Sequence, residues 1–254
     1  MKQILSSILA IAILAITPQL IVARDLSQIQ SEGKLKVAVK DNLRPLGFTD
    51  RQGNLAGLEI DIARKLAEEL LGDKHAIELV VTSNQERLQT VLDERVDIAI
   101  AKVSVTDSRA RIVSFSSHYY IDGTGIITKN STIKDIEDLN KSKIVLLQNS
   151  ATIAVIRHQL PEATLIGVES YQQGLELLES GQADAFAGDR SILIGWQQKY
   201  PSYKLLPPRL SGEALAVVMP KGLQHKELRF QINRAIGKWK KSGWLQERIQ
   251  YWGL

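Results

Sequence analysis

Nine side chains in this sequence are of types that could hold a small charged molecule, and they fall into two sets along the chain. The earlier set, Lys40, Arg87, Lys102, Ser104 and Arg109, offers cations and a hydroxyl. The later set, Ser150, Thr152, Tyr171 and Asp189, offers hydroxyls and one carboxylate. A guanidinium grips a carboxylate through two parallel N–H···O bonds, and an aspartate accepts from an ammonium. Together they suit a small zwitterion carrying excess negative charge. Each residue also has a plainer reading. Lys40 and Lys102 could simply hold their heads in water at strand ends. Asp189 could cap the helix "RSILIGWQQ", and Ser150 or Thr152 could cap theirs.

What favours the chemical reading is where these residues stand relative to the elements. Leu35, Val37 and Val39 alternate as in a half-buried strand. In "GNLAGLEIDIARKLAEELLGD", Ile60, Ala63, Leu66, Ala67, Leu70 and Leu71 form one helical stripe ending at Gly72. "IELVVT" and "VDIAIA" read as strands, and Ser83 with Glu86 predicts a capping box opening a helix through Leu92. The second half repeats the scheme: strands at "KIVLLQ", "TLIGV" and "ADAFAGD", with helices after "NSAT" and at "YQQGLELLES". "VLDERVD" and "LESGQAD" match in pattern, each placing an aspartate before an apolar strand. A further strand at "ALAVVMP" precedes a helix with Leu228, Ile232, Ala235, Ile236 and Trp239 in register, then a terminal helix. Such alternation predicts α/β lobes with mainly parallel sheets. In open α/β sheets ligands bind beyond the carboxyl ends of the strands, and all nine residues lie at or just past such ends.

Composition narrows the chemistry. The 254 residues contain no cysteine, which excludes disulfides, thiolate metal sites, a cysteine nucleophile and a lipid-modified amino-terminal cysteine. The four histidines, His75, His118, His158 and His225, lack close metal-ligand spacing, so no metal and no cofactor is expected. A net charge of +4 from mixed signs gives no nucleic-acid signature. Lys2, the apolar stretch Ile4–Ile16 and the small Ala23 predict a cleaved secretory signal over residues 1–23, and hence a periplasmic protein. An uncleaved anchor is the alternative, and no other segment is long and apolar enough to span a membrane.

The ordered set "GKLKVAVKDNLRPLGF", "G.LAGLEIDIARKLAEEL", "RVDIAIAKVSVTDSR", "VSFSSHYY", "QADAFAGD" and "GWLQERIQYWGL" resembles the extracellular solute-binding proteins, family 3, of polar amino-acid ABC importers, over essentially the whole mature chain. The resemblance implies a two-lobed periplasmic-binding-protein type II fold, with two Rossmann-like lobes joined by crossing strands near Tyr120–Gly125 and Gly212–Val217. Residues 24–121 with 216–254 would form one lobe and 122–215 the other. It further implies that Arg109, helped by Ser104, grips the ligand α-carboxylate and that Asp189 binds the α-ammonium. The likeness is closest to the aspartate/glutamate-binding branch, in which Lys40 and Arg87 would address a side-chain carboxylate. Three positions depart from the family pattern: Leu46 replaces an aromatic ring, Lys102 stands where small or hydroxylated residues are usual, and "NSAT" replaces a glycine–threonine pair.

The expected function is therefore capture of glutamate or aspartate and delivery to an ABC permease in the inner membrane, by a monomer. Glutamine, asparagine or another polar amino acid is the alternative ligand. A dehydratase on the same fold is the enzymatic alternative; it would need an acid or base at the reacting carbon, and no strand exit offers a histidine. A stand-alone ligand sensor is the third reading.

Overall fold

The computed structural model describes residues 24–148 and 150–254. The predicted signal segment, 1–23, and Asn149 of "NSAT" lie outside the described residues.

Two five-stranded sheets share one plan. In the first, the strand order is Ile77–Val81, Leu35–Val39, Ile98–Ile100, Val218–Met219, Ser114–Phe115. Its first three strands are parallel, and Val218–Met219 runs antiparallel to its neighbours. In the second, the order is Thr164–Val168, Lys143–Leu147, Ala185–Asp189, Thr124–Thr128, Lys204–Leu205, again three parallel strands followed by an antiparallel one. The chain passes between lobes on two short strands, Tyr120–Asp122 and Glu213–Leu215, which pair antiparallel with Ile121 opposite Ala214. At this passage a Cβ on Gly123 would lie 1.9 Å from the carbonyl oxygen of Ser211, so only glycine allows the backbones to meet. Gly125 and Gly212, at the same passages, have no such need.

Strand periodicity feeds the cores. Alternate residues of a strand face opposite sides. Ile144 and Leu146 accordingly join Ile156 and Ala187 on one face of the second sheet, while Val145 joins Phe186 and Leu193 on the other. In the first lobe, helix Leu58–Leu71 buries Ile60, Ala63, Leu66, Ala67 and Leu70 and ends at Gly72 in the left-handed region (φ 81°). Helix Lys226–Ser242 buries Leu228, Ile232, Ala235, Ile236 and Trp239 against the same core.

One predicted element is much shorter than expected. The Ser83–Glu86 contact forms, with the Glu86 N–H donating to Ser83 Oγ at 3.1 Å, yet residues 84–88 are turn and only Gln89–Leu92 is helical. The Glu86 carboxylate accepts from Ser83 Oγ rather than from the Ser83 N–H, so the reciprocal half of the box is not made. Arg87, inside this turn, reaches instead for carbonyls of the neighbouring strand exit.

Candidate ligand cleft at the strand exits

The two sheets point the carboxyl ends of their parallel strands at one another, and the nine predicted residues divide between a cavity wall and its supports. A cavity of about 200 Å³ is walled by Lys102 from the first lobe, Glu213 from a crossing strand, and Ser150, Thr152, Tyr171 and Asp189 from the second, with Leu147, Ala151, Ala187 and Gly188 between them. Larger clefts of about 720 and 600 Å³ lie elsewhere, one between the hairpin near Asn42–Gln52 and helix Arg190–Lys199, the other behind the crossing strands. Neither collects the strand-exit residues.

Asp189 ends its strand at the N-cap position of helix Arg190–Lys199, in extended conformation, but its carboxylate caps no N–H among the described residues. It accepts instead from Lys102 Nζ at 2.6 Å, across the cleft. The alternative capping role at Ser150 is likewise not taken up. Ser150 Oγ is buried with no hydrogen-bond partner among the described residues, and Ala151 occupies the N-cap position of helix Thr152–Gln159. A buried hydroxyl without a partner is costly. Tyr171 shares the cavity wall with Asp189, and burial, then the charges of Asp189 and Asp122, pushes its hydroxyl far above its ordinary range.

The first-lobe cations are held by backbone carbonyls. Lys40 is buried and donates to the Thr82 carbonyl at 2.7 Å; burial lowers its pKa from the usual lysine value. Arg87 donates through Nη1 to the carbonyls of Ala101, at 2.7 Å, and Lys102. Burial, followed by the nearby charge of Arg109, lowers its pKa. Arg109, half-buried on the short helix Asp107–Ala110, donates through Nη1 to the Ser104 carbonyl at 2.8 Å, and Thr106 Oγ1 accepts from its N–H. Ser104 Oγ donates to Glu213 at 3.1 Å. Lys102, Ser150, Thr152, Tyr171 and Asp189 thus line the cavity, whereas Lys40, Arg87, Ser104 and Arg109 stand beside it in a second tier.

Three acidic residues were not signalled as part of this region. Glu213 sits in the wall. Asp122 accepts from Ser191 N–H and Oγ and lies 3.9 Å from Lys102 Nζ. Glu59 is fully buried, and its Oε1 accepts from the Lys102 N–H at 2.7 Å and from the Tyr119 hydroxyl. A usable sign existed: Glu59 stands four residues before Ala63, on the apolar stripe of its helix, where a carboxylate needs a reason.

Burial raises the Glu59 pKa above its usual 4.5, against the lowering by its hydrogen bonds. The stability this group contributes is fully present below 4.5 and is lost as pH rises through the raised folded value, where the protein must hold a buried carboxylate. Glu59→Gln, which keeps the acceptor, should remove that decline in a series of urea melts across pH. Glu59→Ala strands two buried donors and should cost about 2 kcal/mol.

The model of the bacterial extracellular solute-binding proteins, family 3, matches residues 35–254. The ABC transporter glutamine-binding protein GlnH of Bacillus subtilis is 29% identical over 89% of this chain and 84% of its own length. A glutamine-binding protein of Geobacillus stearothermophilus is 32% identical over 76% and 74%. Among solved structures, an ancestral cationic amino acid solute-binding protein superposes with a TM-score of 0.76 at 26% identity, covering 89% of this chain and 98% of that one. The two like-planned sheets, the paired crossing strands and the cleft between strand exits are the type II periplasmic-binding architecture, and with that match across both lobes the chain belongs to the bacterial extracellular solute-binding proteins of family 3.

Proposed function

We propose that this protein is the periplasmic receptor of an ABC importer for a polar amino acid. It closes its two lobes, 24–121 with 216–254 and 122–215, on one ligand molecule and presents the closed form to an inner-membrane permease. The ligand α-carboxylate lies on Arg109 and its α-ammonium on Asp189. The observation that carries this reading is Asp189. It occupies an N-cap position, leaves the helix uncapped and turns its carboxylate toward a cation across the cleft. Export through residues 1–23 belongs to the same proposal.

Glutamine is the preferred ligand in this reading. The balance of charges that suggested glutamate or aspartate is altered by the partners those charges have: Lys40 is engaged by Thr82, Arg87 by two carbonyls and Lys102 by Asp189, while Glu213 adds a carboxylate to the wall. The relatives named as glutamine-binding point the same way. Glutamate and aspartate remain the second reading on one observation: Arg87 engages the Ala101 and Lys102 carbonyls through Nη1 alone, and a guanidinium has further N–H donors to offer.

Arg87→Ala separates the two. If Arg87 acts by fixing the Ala101 and Lys102 carbonyls, the variant weakens glutamine and glutamate alike, by about tenfold, or about 1.4 kcal/mol. A loss confined to glutamate in calorimetric titrations would favour the acidic ligand.

A further inference from the structure

Lys102 stands out on three independent grounds. It is one of two non-glycine residues with positive φ among those described, at 52°, in the left-handed region that side chains rarely adopt. That conformation is fixed from behind, since the buried carboxylate of Glu59 accepts the Lys102 N–H at 2.7 Å and Arg87 donates to its carbonyl. From this held backbone the side chain, only 11% exposed, extends over the cleft to Asp189 at 2.6 Å. Residues in sparsely populated backbone regions persist where surrounding contacts over-determine them, and they concentrate at binding and switching sites.

We propose that Lys102 is a built-in occupant of the ammonium subsite, so that ligand capture is an exchange. The Lys102 ammonium neutralises Asp189 and ties the lobes together in the free protein, and an arriving amino acid must displace it with its own α-ammonium. The inference rests on the amino-acid reading given above. The wall also offers the displaced lysine somewhere to go. Asp122 Oδ2 is 3.9 Å from Lys102 Nζ, and Glu213 lines the same cavity. No proton is transferred and no charge is left alone: one ammonium replaces another on Asp189, and the first moves onto a neighbouring carboxylate. Lys102 is therefore an affinity-setting residue. It raises the threshold for every ammonium-bearing ligand, because the self-paired form is not competent to bind and the apparent affinity falls by the fraction that is competent.

The test uses two variants that remove the cation differently. Lys102→Gly suits the positive φ, and Lys102→Met keeps the long stem. Because the native sequence has no cysteine, nitroxide labels can be placed through Gln52→Cys and Lys199→Cys, two exposed residues on opposite sides of the 720 Å³ cleft. In the ligand-free protein both Lys102 variants should lengthen the label distance, and glutamine should bind both about tenfold more tightly than the parent. Asp189→Asn should also lengthen the free-state distance but weaken glutamine binding. An unchanged distance in both Lys102 variants, or weaker glutamine binding in both, overturns the proposal. If no amino acid binds any of these proteins, the amino-acid reading fails, and the ligand-free distance alone decides the latch.

Discussion

Arg109→Ala should abolish binding of every amino acid while leaving the free protein folded. The guanidinium is positioned by its own loop: Thr106 accepts from the Arg109 N–H, and Arg109 Nη1 donates to the Ser104 carbonyl at 2.8 Å. The Nη1 contact engages one corner of a planar fork that carries five N–H donors, and the remainder can address a carboxylate. Without it, closure would bury that carboxylate unpaired, which costs roughly 3–5 kcal/mol. Lysine should not rescue the loss, because a point charge cannot reproduce a bidentate grip. Calorimetry against glutamine, glutamate and asparagine checks this, with a thermal melt of the free protein as the folding control. Retained affinity within tenfold of the parent would remove Arg109 from the site.

The second large effect is steric. Gly195 lies on helix Arg190–Lys199 in the second lobe, and the three atoms nearest a Cβ built there all belong to Arg44 of the first lobe, the closest being the carbonyl oxygen at 2.1 Å. No real Cβ tolerates that approach, so Gly195→Ala is a wedge set between the lobes. In the open protein the same substitution replaces a helix-interior glycine by the best helix former, worth about 0.5–1 kcal/mol of stability. The two effects have opposite signs. The wedge should hold the free protein open, lengthening the distance between labels at positions 52 and 199, and ligand affinity should fall by about a hundredfold or more, some 2.7 kcal/mol, because full closure is blocked. A variant that binds normally would show that the lobes need not approach this closely.

How much of this was readable in the sequence depended on whether the partners leave a trace in it. The buried face of helix Lys226–Ser242 is the set picked out by periodicity, because a 3.6-residue repeat needs no knowledge of the partner surface. The likeness of "VLDERVD" and "LESGQAD" also has a counterpart in contacts. Asp97 accepts the Lys36 N–H at 2.7 Å, and Asp184 accepts the Lys143 N–H at 2.8 Å, each tying the third strand of its lobe to the central one. The site was harder. That Lys40 and Arg87 would be held by carbonyls is invisible in sequence, since every residue carries that acceptor. The Lys102–Asp189 pair joins positions 87 residues apart in the chain, beyond any local spacing rule. The truncated helix before Leu92 shows the same limit: a good local capping signal yields when a side chain in that turn, Arg87, is pulled onto another strand.

The most direct measurement is a crystal structure of the protein grown with glutamine. One ligand molecule is expected in the cleft between the strand exits, its α-carboxylate paired with Arg109, its α-ammonium on Asp189, and Lys102 moved off that carboxylate toward Asp122 or Glu213. Glutamine bound in the cleft near Asn42–Gln52 instead, or lying between the lobes with its ammonium away from Asp189, would contradict it.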